Sequence, residues 1–422
     1  MIDFNSHRLE NGMTLLHHYD RVTRMVAVNI LYKVGSAHEQ EPLTGLAHLL
    51  EHLMFGGSEH VPSFDQALQR AGGESNAWTS VDATNYYDVL PAPNLDTALW
   101  LESDRLMGLT LSNDSIATQK SVVIEEFKQR CLNAPYGDMA HLVGQLAYTV
   151  HPYRWPPIGR QVSDIEQATA DDVRAFHQAH YAPNNAIICI SGNVTRERAI
   201  QAVEHWFGDI PARQLPCCDR PIEPEQTQPR MLRVERDVPH TVITRAYHMP
   251  HRLSPDFPAC DLLSDVLSNG KSARFYQNVI RTTGLFTELD ASVGGTLDQG
   301  LFYIRGKLTD EATVEAAQQA IDNELQRLFD KGIDEYEVEK FVNKHIATSR
   351  FENVGYLQQA MRLCAYEQMG DAAMFNTEEE TYRQVTPAHI LDTAHRILAP
   401  SNCSTLIYQK WRNGDGSLSA NC

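Results

Sequence analysis

His48-Leu49-Leu50-Glu51-His52-Leu53-Met54-Phe55-Gly56-Gly57 can be laid on Asp261-Leu262-Leu263-Ser264-Asp265-Val266-Leu267-Ser268-Asn269-Gly270. The Leu-Leu pairs and the closing glycines coincide at an offset of 213 positions. A second match lies near the end of each half. Thr169 to Asn185 closes on Tyr181-Ala182-Pro183-Asn184-Asn185, and Thr386 to Asn402 on Leu398-Ala399-Pro400-Ser401-Asn402, at an offset of 217. Both Ala-Pro turns then enter β-type apolar runs, 186–190 and 403–408. Two ordered matches at nearly equal offsets point to a duplicated chain, and a repeat has to be settled before the fold. The rival explanation is chance agreement between two amphipathic helices, since short apolar matches are weak evidence. Between the copies, Pro211 to Pro229 holds five prolines and little apolar periodicity, which reads as a linker. The chain therefore divides into domains at 1–212 and 230–422 joined by a linker at 213–229, in line with a length of 422 residues.

Each half mixes strands and helices. Met25 to Val34 is a β-branched, apolar strand. Leu43 to Met54 reads as a helix with Leu46, Leu49, Leu50 and Leu53 on one stripe, stopped by Gly56-Gly57. Asn76 to Leu90 is strand-like with a turn near Asp82, and Asn113 to Cys131 is a long helix with Asn113 or Ser115 as its cap. Asp171 to His180 is another helix. The expected class is α+β: two homologous domains, each a mainly antiparallel sheet with helices packed on one face.

The net charge of −18 excludes the basic face of a nucleic-acid binder. It either concentrates basic substrates or simply maintains solubility. No basic segment followed by an apolar run opens the chain, and no stretch of about 18 uncharged apolar residues occurs, so neither signal peptide nor membrane span is expected. A cytoplasmic location follows, or a periplasmic one if an export signal has been removed. Eight scattered cysteines without a CxxC pair read as free thiols, and the adjacent Cys217-Cys218 as a feature of the linker.

The chemistry lies in His48-Leu49-Leu50-Glu51-His52. On a helix, positions i and i+4 stack and i+3 lies beside them, so His48 and His52 can face one ion with Glu51 next to it. Two neutral imidazoles and a carboxylate suit zinc, with the fourth position left to water. Glu51 is then placed to take a proton from that water and pass it to a leaving amine. The spacing HxxEH is the inverted zincin signature. A helix whose polar side merely carries two histidines is the plain alternative. A third ligand is required, and Glu125 and Glu126 on the downstream helix are the candidates; spacing does not choose between them.

Gly45 to Gly57 resembles the active-site helix of the pitrilysin/insulinase (M16) family of zinc peptidases, which includes the mitochondrial processing peptidases. Gly72 to Thr79, with Asp82 to Tyr87, is similar to the family's substrate-binding edge strand. Val122-Val123-Ile124-Glu125-Glu126 is similar to the helix holding the third zinc ligand, and Tyr181 to Asn185 leading into Ser191-Gly192-Asn193 to the strand near the end of the catalytic domain. The resemblance spans essentially the whole chain. It implies one Zn2+ per chain held by His48, His52 and Glu126, with Glu51 as catalytic base. It implies that Asn76 and Ala77 pair with extended peptide backbone by strand addition, and that the two domains enclose a chamber. Two positions depart from the pattern. Gln119 stands where many relatives carry a supporting glutamate. Arg281 matches an arginine of the substrate-binding half, but its tyrosine companion is replaced by Thr287. The expectation is a zinc metalloendopeptidase acting on extended peptides or unfolded segments, as the catalytic subunit of a dimer whose partner is a homologous subunit supplying the Arg/Tyr pair, or a homodimer. The alternatives are a non-catalytic scaffold subunit of the same fold and a metal-dependent hydrolase of small molecules. His17, His18, His389 and His395 lack partners at ligand spacing and are expected to serve packing or surface roles.

Overall fold

A computed structural model describes residues 2–217 and 219–411; Cys218 and Cys422 lie outside the described residues. One sheet contains β1 (Asn5–Arg8), β2 (Thr14–Tyr19), β3 (Met25–Tyr32), β4 (Glu74–Thr79), β5 (Thr84–Pro91) and β6 (Ala186–Gly192) in the order β1-β2-β6-β3-β5-β4. The other contains β7 (Arg230–Arg236), β8 (Val242–Met249), β9 (Phe286–Val293), β10 (Gly300–Leu308) and β11 (Cys403–Lys410) in the order β7-β11-β8-β10-β9. With β1 set aside, the two orders are identical. In each, the first strand of the copy runs parallel to the last, β2 to β6 and β7 to β11, and the other neighbours are antiparallel. The same topology in both halves is what a duplication leaves behind, and the architecture is α+β.

The repeats also agree locally. Thr169 and Thr386 each cap a helix, Ala170–His180 and Pro387–Ile397, with their side chains accepting from the N–H groups of Asp172 and His389. The helix Asn113–Phe127 runs on into a π-helical turn at Lys128–Asn133, so the helical stretch covers Asn113 to Cys131; it is capped by Ser112, whose hydroxyl accepts from Ser115 N, rather than by Asn113 or Ser115.

Contacts divide the chain into two compact units, with one boundary, between Ile222 and Glu223, inside the 213–229 linker and two segments exchanged across it. The first is Met1–Lys128, Val150–Ile222 and Asn343–Arg383; the second is Gln129–Thr149, Glu223–Val342 and Gln384–Cys422. Relative to a partition at 1–212 and 230–422, each half lends the other a helical segment. In the first unit the helix Tyr356–Gln368 lies on β3 and β6, where Ala360, Leu363 and Cys364 join Leu16, Leu31, Ile187 and Cys189 in one core. The alternate residues of β3, such as Val28 and Ile30, point to the other face and are equally buried. The helix Leu95–Met107 packs against β3 and β5 on that face, with the Arg105 guanidinium 4.4 Å over the Tyr86 ring. The centre of this sheet is thus covered on both faces, which is why β3 is apolar along its length apart from Asn29, whose amide pairs with that of Asn85.

In the second unit the helix Met139–Ala147 packs on β7, β8 and β11. Its last carbonyls are satisfied locally, Leu146 O and Ala147 O by Arg230 Nη1 at 3.1 and 2.6 Å. Glu223 holds the exit of the segment by accepting from Thr149 N and Oγ1, both at 2.7 Å.

The described cysteines are free thiols. No described helix is long and apolar enough to cross a membrane.

Candidate metal centre

The site is built on the helix Leu46–Leu53 of the first unit. Leu46, Ala47, Leu49, Leu50 and Leu53 are buried, which turns His48, Glu51 and His52 to the opposite side. The helix opens at Gly45, whose φ of +88° favours glycine; a Cβ there would lie 2.9 Å from Ile158 O. A short residue in that conformation cannot cap, so a distant carboxylate does. The buried side chain of Glu39 accepts from Gly45 N and Ala47 N, both at 2.8 Å. Burial pushes its carboxyl up to about 8, against the opposing pull of the helix N–H groups.

The third donor arrives on the helix Asn113–Phe127, anchored through Ile116, Val123 and Phe127. Glu126 Oε2 lies 3.7 Å from His48 Nε2 and 3.4 Å from His52 Nε2, and the three donor atoms are mutually within 4.8 Å. A tetrahedral zinc with bonds of about 2.1 Å needs its ligand atoms about 3.4 Å apart. Two imidazoles and one carboxylate at this spacing therefore fit the ion. Glu125, one residue earlier, faces solvent and pairs with Lys128 at 2.7 Å. The rotation of this helix selects Glu126 of the two sequence candidates.

Glu51 is not one of the converging donors. Its carboxylate accepts a short hydrogen bond from the hydroxyl of Thr79, the last residue of β4. This strand is the edge of its sheet, bonded to β5 alone, and its residues alternate between exposed Glu74, Asn76 and Trp78 and half-buried Ser75, Ala77 and Thr79. Asn76 Oδ1 accepts from Ala77 N at 2.8 Å. Asn76 and Ala77 thus lie on the strand that touches the base.

The remaining candidates lie elsewhere. Arg281 belongs to the second unit, exposed and donating to Gln277 Oε1 at 2.6 Å. Thr287 is exposed on β9 and donates to Lys307 O. Gln119 lines a cavity of about 270 Å³ with Leu53, Gly56 and Thr110, beside the C-terminal end of the histidine helix. Among the other histidines, His17 is buried against Val194 O at 2.8 Å and His389 pairs with Asp256 at 2.8 Å. Thr79 and Glu39 were not singled out in the sequence. Thr79 closes the Gly72–Thr79 segment that was, whereas nothing local marks Glu39.

The chain matches Insulinase (Peptidase family M16) over residues 14–135 and the Peptidase M16 inactive domain over residues 167–344. It is 30% identical over 338 residues to the zinc protease PqqE of Helicobacter pylori, covering 79% of this chain and 76% of that one. It is 24% identical over 421 residues to an uncharacterized zinc protease of Rickettsia bellii, covering 96% and 97%. The structure superposes on that of a protease from Helicobacter pylori with a TM-score of 0.91 at 26% identity, over 97% of this chain and 100% of the other. Pitrilysin shares the fold, with a TM-score of 0.79 over 97% of this chain and 45% of its own at 18% identity. The Helicobacter pylori and Rickettsia bellii relatives are named zinc proteases, and the chain belongs to the M16 peptidase family.

Proposed function

We propose that this chain is a zinc-dependent endopeptidase of extended peptides or unfolded segments, with one ion held by His48, His52 and Glu126. The observation that carries the reading is the convergence of these three donor atoms beside a carboxylate that stays outside their group and touches an open edge strand. A zinc ion bound there supplies Lewis acidity that polarises a carbonyl and makes nearby water acidic. Glu51 accepts the proton of the attacking water and returns it to the leaving amine. The outer edge of β4, at Asn76 and Ala77, pairs with the substrate main chain, so that recognition depends on extended backbone more than on side-chain identity. Arg281 takes part in substrate binding. The working enzyme is a dimer, and a homologous partner supplies the tyrosine that Thr287 replaces. A non-catalytic assembly subunit would be expected to have lost a ligand or the base, and this chain keeps all four residues.

The test is digestion of an unstructured peptide library by the zinc-loaded chain, alone and with a homologous partner chain. Cleavage by wild type and its loss in Glu51→Gln support the reading. Cleavage that survives Glu51→Gln removes Glu51 as base, and purified chain without about one equivalent of metal removes the metalloenzyme.

A further inference from the structure

We infer that Thr79 is a positioning residue that keeps Glu51 a base and prevents it from becoming a metal ligand; this rests on the peptidase reading above. Glu51 directly precedes His52 and lies one helical turn after His48, so its carboxylate has the reach to compete for the ion that those imidazoles face. Yet the group of mutually close donors consists of His48, His52 and Glu126 without it. From outside the helix, the hydroxyl of Thr79 donates to its Oε2. A hydroxyl donor satisfies one carboxylate oxygen and fixes the carboxylate plane.

The position of Thr79 along the chain gives the contact a second consequence. Thr79 ends the edge strand β4, on the half-buried face it shares with Ser75 and Ala77. The following turn is tied down: Ser80 N donates to Ala83 O, and the side chain of Asp82 accepts from Tyr153 at 2.6 Å and from Arg220 at 3.1 Å. The hydroxyl is therefore carried by a braced strand end. The strand that takes the substrate backbone also fixes the base, so a peptide paired along β4 meets a carboxylate already oriented toward it.

The experiment compares Thr79→Val, which keeps shape and loses the donor, Thr79→Ala, and Thr79→Ser, which keeps the donor. Each is loaded with zinc for steady-state cleavage of an unstructured fluorogenic peptide, and with Co2+ for its visible spectrum; metal affinity is measured by chelator competition. Loss of the donor is expected to lower kcat about 10- to 100-fold with KM within about twofold of wild type, and Thr79→Ser to restore most of it. The cobalt bands of the Val and Ala variants shift as Glu51 enters the ligand set, and those of the Ser variant do not. Wild-type kcat in Thr79→Val, or a Ser variant as impaired as Val, overturns the proposal. If the wild-type chain cleaves no peptide, the proposed function fails, and the cobalt spectra still decide this point: identical bands in wild type and Thr79→Val overturn the positioning role. Should valine prevent folding, the Ala and Ser pair carries the same comparison.

Discussion

A fragment ending at Ile222 contains every candidate zinc ligand and the entire first sheet, yet it should not fold by itself. It lacks Asn343–Arg383, the segment of the second half that belongs to the first unit. Removing the helix Tyr356–Gln368 strips its cover from Leu16, Leu31 and Ile187, which are fully buried in the intact chain together with Leu363. At about 2 kcal/mol for each aliphatic side chain, these four account for about 8 kcal/mol, an upper figure because a denatured chain already hides some apolar surface. That is comparable to the whole stability of a typical domain, about 5–15 kcal/mol. The fragment also loses the bonds between Asn376 and the backbone of Ile2 at 2.7 and 2.9 Å, and leaves Gln129–Thr149 without its sheet. Far-UV circular dichroism with urea titration should show no cooperative transition, and zinc should be bound weakly or not at all. Addition of a peptide spanning 343–383 should restore both. A fragment that unfolds cooperatively at the midpoint of the full chain, with no change on adding the peptide, would refute the exchange as the reason for its stability.

Acid should destabilise the first unit before most carboxylates titrate. Burial holds His38, His177 and His180 down near 4, so between pH 6.5 and 4 the unfolded chain binds more protons than the folded one. The stability they confer is complete above pH 6.5 and is lost as pH falls through 4; at pH 5 each costs up to about 2 kcal/mol, offset in part by Glu39, whose raised carboxyl makes the fold gain stability as pH falls below 8. Urea midpoints of the metal-free protein at pH 7 and 5 measure this without the pH dependence of metal binding, and equal midpoints would contradict it. Gly45→Ala should cost about 1–3 kcal/mol, because alanine is strained at φ +88° and its Cβ meets the Ile158 carbonyl. Zinc affinity should fall with it, since Gly45 and Ala47 are where Glu39 grips the histidine helix; a chelator competition identical to wild type would show that the helix entry does not set the donor geometry.

Local order was legible in the residues themselves. The i, i+3, i+4 spacing of His48, Glu51 and His52 puts them on one side of a helix whatever surrounds it, and the leucines between them say which side is buried. The threonine caps and the Ala-Pro turns recur because each needs only its own few residues, and the duplication shows through them. Periodicity, however, reports that a face is buried and not what buries it. The helix Tyr356–Gln368 is apolar along one face in either unit, so the sequence had no means of assigning it to β3 and β6, whose contacts with Cys364 span 335 and 177 positions. The same limit applies to the site. Glu125 and Glu126 are equivalent until one helix is set against another, and the rotation that brings Glu126 within 3.4 Å of His52 Nε2 sends Glu125 to Lys128. Glu39 and Thr79 act on the histidine helix through contacts 6 to 28 positions apart. The sequence by itself determined the two histidines and the base, because helix geometry is local. The tertiary structure decided the third ligand, the restraint on the base and the exchange of helices, because each depends on which surfaces meet.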